Sequence, residues 1–274
     1  MSYQNDFKNE FRFLWTIENF SYCWQKKSER IASPPFVVDA LDDSEWKLWL
    51  CPRGDKDGNF HIACFLYRES DSSGPDNIEI EYELAFLAAD GAVLVSKGLK
   101  RVFNKGIYRG FDLEKRQVVF SAKKDEFLPR DTLTVRCRLW RNDRRRVETT
   151  QFFARTVIKV DRRFFCWTIE NFSGLQPHQD NSFIIRSACK ELLLNLNLFI
   201  SGGQCAEELI KIKIVPSNPN IKYLTFKCHL VSTKGSKTDC GLGEYWFNDC
   251  YESAAFILAF TNNDLVKNKK SLFT

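Results

Sequence analysis

The sequence predicts an all-β protein built from two tandem antiparallel sandwiches. Three features predict it: a length of 274 residues, period-two alternation in both halves, and a heptapeptide, WTIENFS, that occurs at 15–21 and again at 167–173. Domains usually hold about 100 to 200 residues, so a chain of this length is divided more easily into two cores than wrapped round one. With 44% hydrophobic residues, 24 Phe and 7 Trp, there is ample apolar surface to offset the conformational entropy lost on folding.

The strands are read from alternation. In IEIEYEL (78–84) every second residue is apolar and the residues between are glutamates; LTVRCRL (133–139) repeats the pattern with Thr and Arg outside. The second half has IKIKI (210–214) and LTFKCHL (224–230). Neither half holds a long segment of 3.6-residue periodicity, and turn-forming stretches separate the strands: PRGDKDGN (52–59), SSGPDN (72–77), AADG (88–91), SNPN (217–220) and STKG (232–235).

The repeat extends beyond the heptapeptide. WKLWLCPRG, ending at Gly54, has its counterpart in LNLNLFISG, ending at Gly202, and IEYELAFLAADG, ending at Gly91, in LTFKCHLVSTKG, ending at Gly235. The offset falls from 152 to 148 to 144 along the chain, as loops of slightly different length would produce. A duplicated domain follows: a tail at 1–9, a first domain at 10–141, a second at 162–274, and between them 142–161, either a charged linker or an extra edge strand. WTIENFS is then the first strand of each copy, with Trp15, Ile17, Trp167 and Ile169 directed to the core beside Trp46 and Leu48.

Composition excludes several classes. The start, MSYQNDFKNEFRF, lacks the basic-then-apolar order of a secretory signal, and apolar runs such as AAFILAF (254–260) fall far short of the roughly 20 residues that span a bilayer. A soluble protein of the nucleus, the cytoplasm or both is expected. Ten cysteines are scattered without a CxxC, and the three histidines, 61, 178 and 229, show no metal-ligand spacing; the cysteines are read as buried free thiols, with no metal or cofactor. A net charge of +5 is modest, and RNDRRR (141–146) reads as a solvated segment or a weak nuclear-import signal, not a nucleic-acid site.

At this point the first-strand motif FLWTIENFS, the strand WKLWLCPRG and a late aromatic-rich Gly-Phe segment resemble the MATH (TRAF-like) domain, and more narrowly the speckle-type POZ and TD-and-POZ families. The similarity covers 10–141 well and 162–274 in part. It implies two eight-stranded antiparallel sandwiches, each with a shallow groove for extended Ser/Thr-rich, degron-like peptides. The second copy is expected to lack its last strand, the counterpart of the one near 133–139. In these families a BTB/POZ domain docks on the cullin of a ubiquitin ligase; nothing in the 274 residues resembles one, so cullin is expected as a partner only through such a domain.

Carried over residue by residue, the resemblance puts the groove of the first copy at Cys64, Tyr82, Arg101, Arg109, Gly110 and Phe111, and that of the second at Phe226 and the run Tyr245, Trp246, Phe247. Alternation alone gives Tyr82 and Phe226 a second reading as core aromatics, because they share faces with Ile80 and Leu84 and with Leu224 and Cys228. Phe111, next to Gly110 and outside any clean alternation, reads as functional. The function implied is non-catalytic: a substrate-recognition module of a ubiquitin-ligase adaptor that promotes degradation of bound proteins, or alternatively an interaction scaffold or dominant-negative form without ligase coupling. No HExxH or GxSxG is present, and no residues are left over for a catalytic fold.

Overall fold

The computed structural model describes residues 9–55, 60–141, 150–169, 181–201, 209–231, 235–248, 252–261 and 272–273. The chain divides into two compact units, Met1–Asp161 and Arg162–Thr274.

The first unit is a sandwich of two five-stranded sheets. One contains β1 (Asn9–Glu18), β6 (Asn77–Leu87), β7 (Val93–Asn104), β9 (Thr132–Arg141) and β10 (Thr150–Val157), in the order β10-β1-β9-β6-β7. The other contains β2 (Ile31–Ala32), β4 (Ser44–Cys51), β5 (His61–Arg68) and β8 (Tyr108–Lys115) in that order, with β3 (Phe36–Val38) also paired to β4. Period-two alternation does what it must: Trp15, Ile17, Trp46, Leu48, Leu84 and Val135 are each 0% exposed and meet between the sheets, where Trp46 packs edge-on against Phe103 at 5.2 Å.

The heptapeptide can now be explained position by position. Trp15 and Ile17 enter the core, while Glu18 faces out and takes two hydrogen bonds from Arg155, at 2.5 and 2.7 Å. Asn19 adopts the left-handed conformation (φ 57°) that a short polar residue tolerates, ending the strand and turning Phe20 into the interior, where its ring stacks on Phe120 at 5.5 Å. Ser21 then donates from its N–H and Oγ to the carboxylate of Asp131, just before β9. In the second copy Trp167 and Ile169 are buried likewise, at 7% and 4% exposure, and 170–173 lie outside the described residues.

Two departures from the expected plan stand out. Within 142–161, Thr150–Val157 is an edge strand, and it runs parallel to β1, so the sheet is not wholly antiparallel. It is tied on by the indole of Trp15, whose Nε1 donates to Thr156 Oγ1 at 2.9 Å. The other departure is Arg68, which is 0% exposed although it ends a strand next to a polar turn. Its guanidinium donates to the carbonyls of Ser73, Pro75, Asp76 and Phe103 at 2.5 to 3.3 Å, so one buried cation organises the SSGPDN turn.

The second unit contains β11 (Trp167–Thr168), β12 (Asn181–Arg186), β13 (Leu192–Ser201), β14 (Leu209–Pro216), β15 (Tyr223–Val231), β16 (Lys237–Trp246), β17 (Ala254–Thr261) and β18 (Leu272–Phe273). Its sheets have the orders β11-β18-β15-β16 and β12-β13-β14-β17, the same plan as β1-β9-β6-β7 and β2-β4-β5-β8. The glycines that close the equivalent turns, Gly91 and Gly235, share a positive φ of 84° and 81°. The last strand, expected to be missing, is present as two residues: β18 lies between β11 and β15 as the ten-residue β9 lies between β1 and β6. Among the described residues no helix is long and apolar enough to cross a membrane.

Replacing Trp15 by Ala removes a fully buried ring and the partner of Thr156; urea denaturation should show a loss of about 3 to 5 kcal/mol. Acid should act through Glu10, which accepts from Arg138 Nε at 2.6 Å and from Arg12 Nε at 2.5 Å. Burial by itself raises this carboxyl's pKa, but the hydrogen bonds and charges of Arg138 and Arg12 outweigh it and hold the value at about 2, below the ordinary 4.5. The folded value lies below the unfolded one, so the stabilisation is complete above about pH 4.5 and is lost as the pH falls towards 2. Glu10→Gln should flatten that part of the stability-against-pH curve, by about 1 kcal/mol after solvent screening.

Candidate functional site

Strands β7 and β8 each stand at the end of a sheet, and the two edges are tied together where Lys97 Nζ on β7 donates to the Asp112 carbonyl on β8 at 2.6 Å. The first copy's expected groove residues gather beneath this mouth. Phe111 on β8 lies opposite Cys64 on β5, and its ring stacks on Tyr82 of the facing sheet at 5.6 Å. Arg109 and Arg101 are exposed at the rim, and both charges bear on the Tyr82 phenol.

Burial divides the set. Cys64 and Tyr82 are 0% and 1% exposed, so they form the floor of the interior and present no surface to a peptide; the core reading of Tyr82 is the one its packing supports. Their acidity agrees, since burial pushes both the thiol and the phenol up. Phe111 is half-buried, and Arg101, Arg109 and part of Phe111 remain as the accessible surface. Gly110 sets the position of Phe111 by a close approach of strands. A Cβ there would fall 2.5 Å from the Cα of Phe65 and closer still to the Cys64 carbonyl oxygen, so only glycine lets β8 lie this near β5.

In the second unit the expected run is displaced. Tyr245 and Trp246 end β16, the counterpart of β7, and Phe247, 3% exposed, is core. The strand equivalent to β8 is β17, in which Phe256 lies opposite Ile212 as Phe111 lies opposite Cys64. Phe256 meets Phe226 at 5.2 Å, edge to face, where Phe111 and Tyr82 stack at 5.6 Å. Phe226 and Phe256 are buried at 9% and 5%, while Trp246 packs on Tyr223 at 5.0 Å, away from that pair. The readable signal was the small-small-aromatic order Ala254-Ala255-Phe256, which parallels Gly110-Phe111 but sits inside an apolar run.

One set of residues was not singled out from sequence. On the outer face of β4, β5 and β8, Trp49 stacks on Tyr67 at 4.0 Å and approaches Tyr108 at 5.3 Å, while the Arg30 guanidinium lies 3.5 Å from the Trp49 ring centre. Alternation hides it, because aromatic residues on the polar face of a strand look like noise in a core pattern.

The buried thiols among the described residues are shifted away from the reactive thiolate form. Burial raises the thiols of Cys23 and Cys51 to about 11 and that of Cys137 further, while Cys228 is raised first by its hydrogen bond with Cys240 and then by burial. A reactive thiol needs the opposite shift. Among the described residues no group of three or more His, Cys, Asp or Glu is placed to hold a metal ion.

Comparison with known proteins finds the family model of the MATH domain matching residues 12–139. TD and POZ domain-containing protein 3 of Mus musculus is 28% identical over 133 residues, 47% of this chain and 36% of the relative. TD and POZ domain-containing protein 5 of the same organism is 28% identical over 131 residues, 47% of this chain and 38% of the relative. TD and POZ domain-containing protein 1 is 24% identical over 131 residues, again 47% of this chain and 36% of the relative. The chain thus spans little more than a third of the length of these relatives. Two facing sheets, the repeated first-strand motif and the family match agree: residues 12–139 form a MATH domain, with distant similarity to the TD and POZ domain-containing proteins.

Proposed function

We propose that the first unit binds extended peptides of partner proteins along the mouth between β7 and β8. It would serve, without catalysis, as a substrate-recognition module for a ubiquitin-ligase adaptor of the TD and POZ kind. The observation that carries this reading is the half-buried Phe111, propped by Gly110 and the Tyr82 ring and flanked by the exposed Arg101 and Arg109. A half-buried ring between exposed cations is the composition of a peptide hot spot, because the aromatic supplies apolar contact and the guanidiniums supply donors. Since β7 and β8 are both edge strands, a peptide laid between them finds main-chain donors and acceptors on the open side of each. Two guanidiniums at the rim suit hydroxyl-rich peptides with acidic or phosphorylated neighbours. Adaptor activity further requires a cullin-docking partner or domain, and that part of the proposal rests on relatedness alone.

An array of Ser/Thr-rich peptides tests the reading. Phe111→Ala should weaken binding by about 2 kcal/mol, roughly thirtyfold. Arg109→Ala, whose side chain lies off the core, should weaken it while leaving the thermal melt unchanged. Failure of the folded wild-type chain to bind any peptide, or binding by both variants as tight as that of the wild type, would overturn the proposal. Gly110→Ala should push β8 off β5 and lower stability by about 2 kcal/mol in urea denaturation, with peptide binding lost alongside.

A further inference from the structure

The mouth between β7 and β8 carries cations on rows that the strand pattern reserves for the core. Cross-strand partners in a sheet present their side chains to the same face. On β7, Lys97 lies opposite Leu84, Leu99 opposite Tyr82 and Arg101 opposite Ile80; on β8, Arg109 lies opposite Leu66 and Phe111 opposite Cys64. All five partners are buried, so Lys97, Arg101 and Arg109 stand on the core-facing rows of two edge strands and are exposed because the sheets end there. Neither strand has a carboxylate over 97–101 or 109–111. A single inward charge on each edge is enough to discourage edge-to-edge association, so what these cations pair with decides whether they do more.

Four other arginines of the first unit are matched: Arg12 and Arg138 share Glu10, Arg136 takes Glu83 and Arg155 takes Glu18. At the mouth, Arg101 donates only to the neighbouring Lys100 carbonyl, at 3.1 Å, and neither Arg101 nor Arg109 has a carboxylate partner among the described residues. A second unanswered group lies beneath them. Tyr82 is buried and both guanidinium charges act on its phenol, yet no described residue accepts a hydrogen bond from the hydroxyl. The two guanidiniums therefore converge on a buried donor, and an anionic oxygen set between them would be an acceptor for all three. A phosphate monoester carries about −1.5 to −2 charge at pH 7 and three strong acceptor oxygens, which suits two forked guanidiniums better than a single carboxylate does. We propose that the mouth reads phosphorylation: Arg101 and Arg109 hold the phosphate of a phosphoserine or phosphothreonine in an extended peptide, while an apolar side chain two residues away packs on Phe111. This deepens, and rests on, the peptide-binding reading of the same mouth. The two-residue spacing follows from β8, where Arg109 and Phe111 are alternate residues on one face, and an extended peptide repeats its side chains with the same period. Lys97, which donates to the Asp112 carbonyl at 2.6 Å, adds positive charge to the same mouth.

The test uses the whole chain and one labelled decapeptide with a Leu two residues from a Ser, made in Ser, phosphoserine and Glu forms and followed by fluorescence anisotropy. The phosphoserine form should bind about tenfold more tightly than the Ser form, and the Glu form should gain little. Moving the phosphoserine to three residues from the Leu should lose most of the gain. Arg101→Ala and Arg109→Ala should each cut the preference to about threefold or less with unchanged thermal melts, whereas Lys100→Ala, at an exposed residue paired with Glu79, should keep it. Phe111→Ala should weaken all three forms alike. Equal binding of the Ser and phosphoserine forms would overturn the inference and leave the mouth a peptide site; no binding of any form by the folded chain would overturn both. A preference that survives both arginine variants would assign the effect to diffuse charge and overturn the inference. So would displacement of the phosphopeptide by an equal concentration of inorganic phosphate or of single-stranded oligothymidylate, which carry phosphate without the apolar side chain or the peptide.

Discussion

The insertion of β9 between β1 and β6 is the interaction on which the first unit depends. A strand inside a sheet satisfies two rows of main-chain groups at once, so removing it would leave β1 and β6 each with an unpaired edge. It also joins the start of the domain to its end: Trp15 pairs with Val135 in register, and Glu10 and Glu83 converge on Arg136 and Arg138 from opposite sides. Ser21 and Asp131 fix the place where the strand enters. The contacts of β1 and Ser21 with β9 and Asp131 link residues more than a hundred positions apart, which explains why a first-strand heptapeptide carries so much of the fold's identity.

Closure of the sandwich then fixes the character of the candidate site. Because β7 and β8 approach at the Lys97–Asp112 contact, Tyr82 and Cys64 are sealed beneath Phe111, and the accessible surface shrinks to one aromatic edge and two guanidiniums. The same two-sheet plan in the second unit places Phe226 and Phe256 in equivalent positions, with Ala254 and Ala255 where the first unit has Arg109 and Gly110. The copies have therefore kept the inter-sheet aromatic contact and diverged at the rim. Packing limits change at the contact, whereas the rim is constrained only by solvent and partners.

The legible part of the fold was the part written in side-chain polarity. IEIEYEL, LTVRCRL, IKIKI and LTFKCHL lie in β6, β9, β14 and β15, and Trp15, Ile17, Trp46 and Leu48 are all fully buried. Arg68 was illegible, since a cation at a strand end gives no sign that four carbonyls will surround it. Trp246 was illegible for a related reason: the aromatic triplet resembled the motif at Arg109–Phe111, but strand pairing puts Trp246 on β16, and the residue paired as Phe111 is paired is Phe256.

By itself, the sequence determined the alternating strands β6, β9, β14 and β15, their inward faces, the internal repeat and the MATH character of residues 12–139, because alternation and repeated motifs are properties of neighbouring residues. The tertiary structure alone decided which edges meet, that Thr150–Val157 pairs parallel to β1, that Tyr82 is buried and Arg109 exposed, and that Leu272–Phe273 lies between β11 and β15. The physical reason is that main-chain pairing and inter-sheet closure join residues far apart along the chain. A strand's own pattern specifies which face it buries but leaves open which strand will lie beside it.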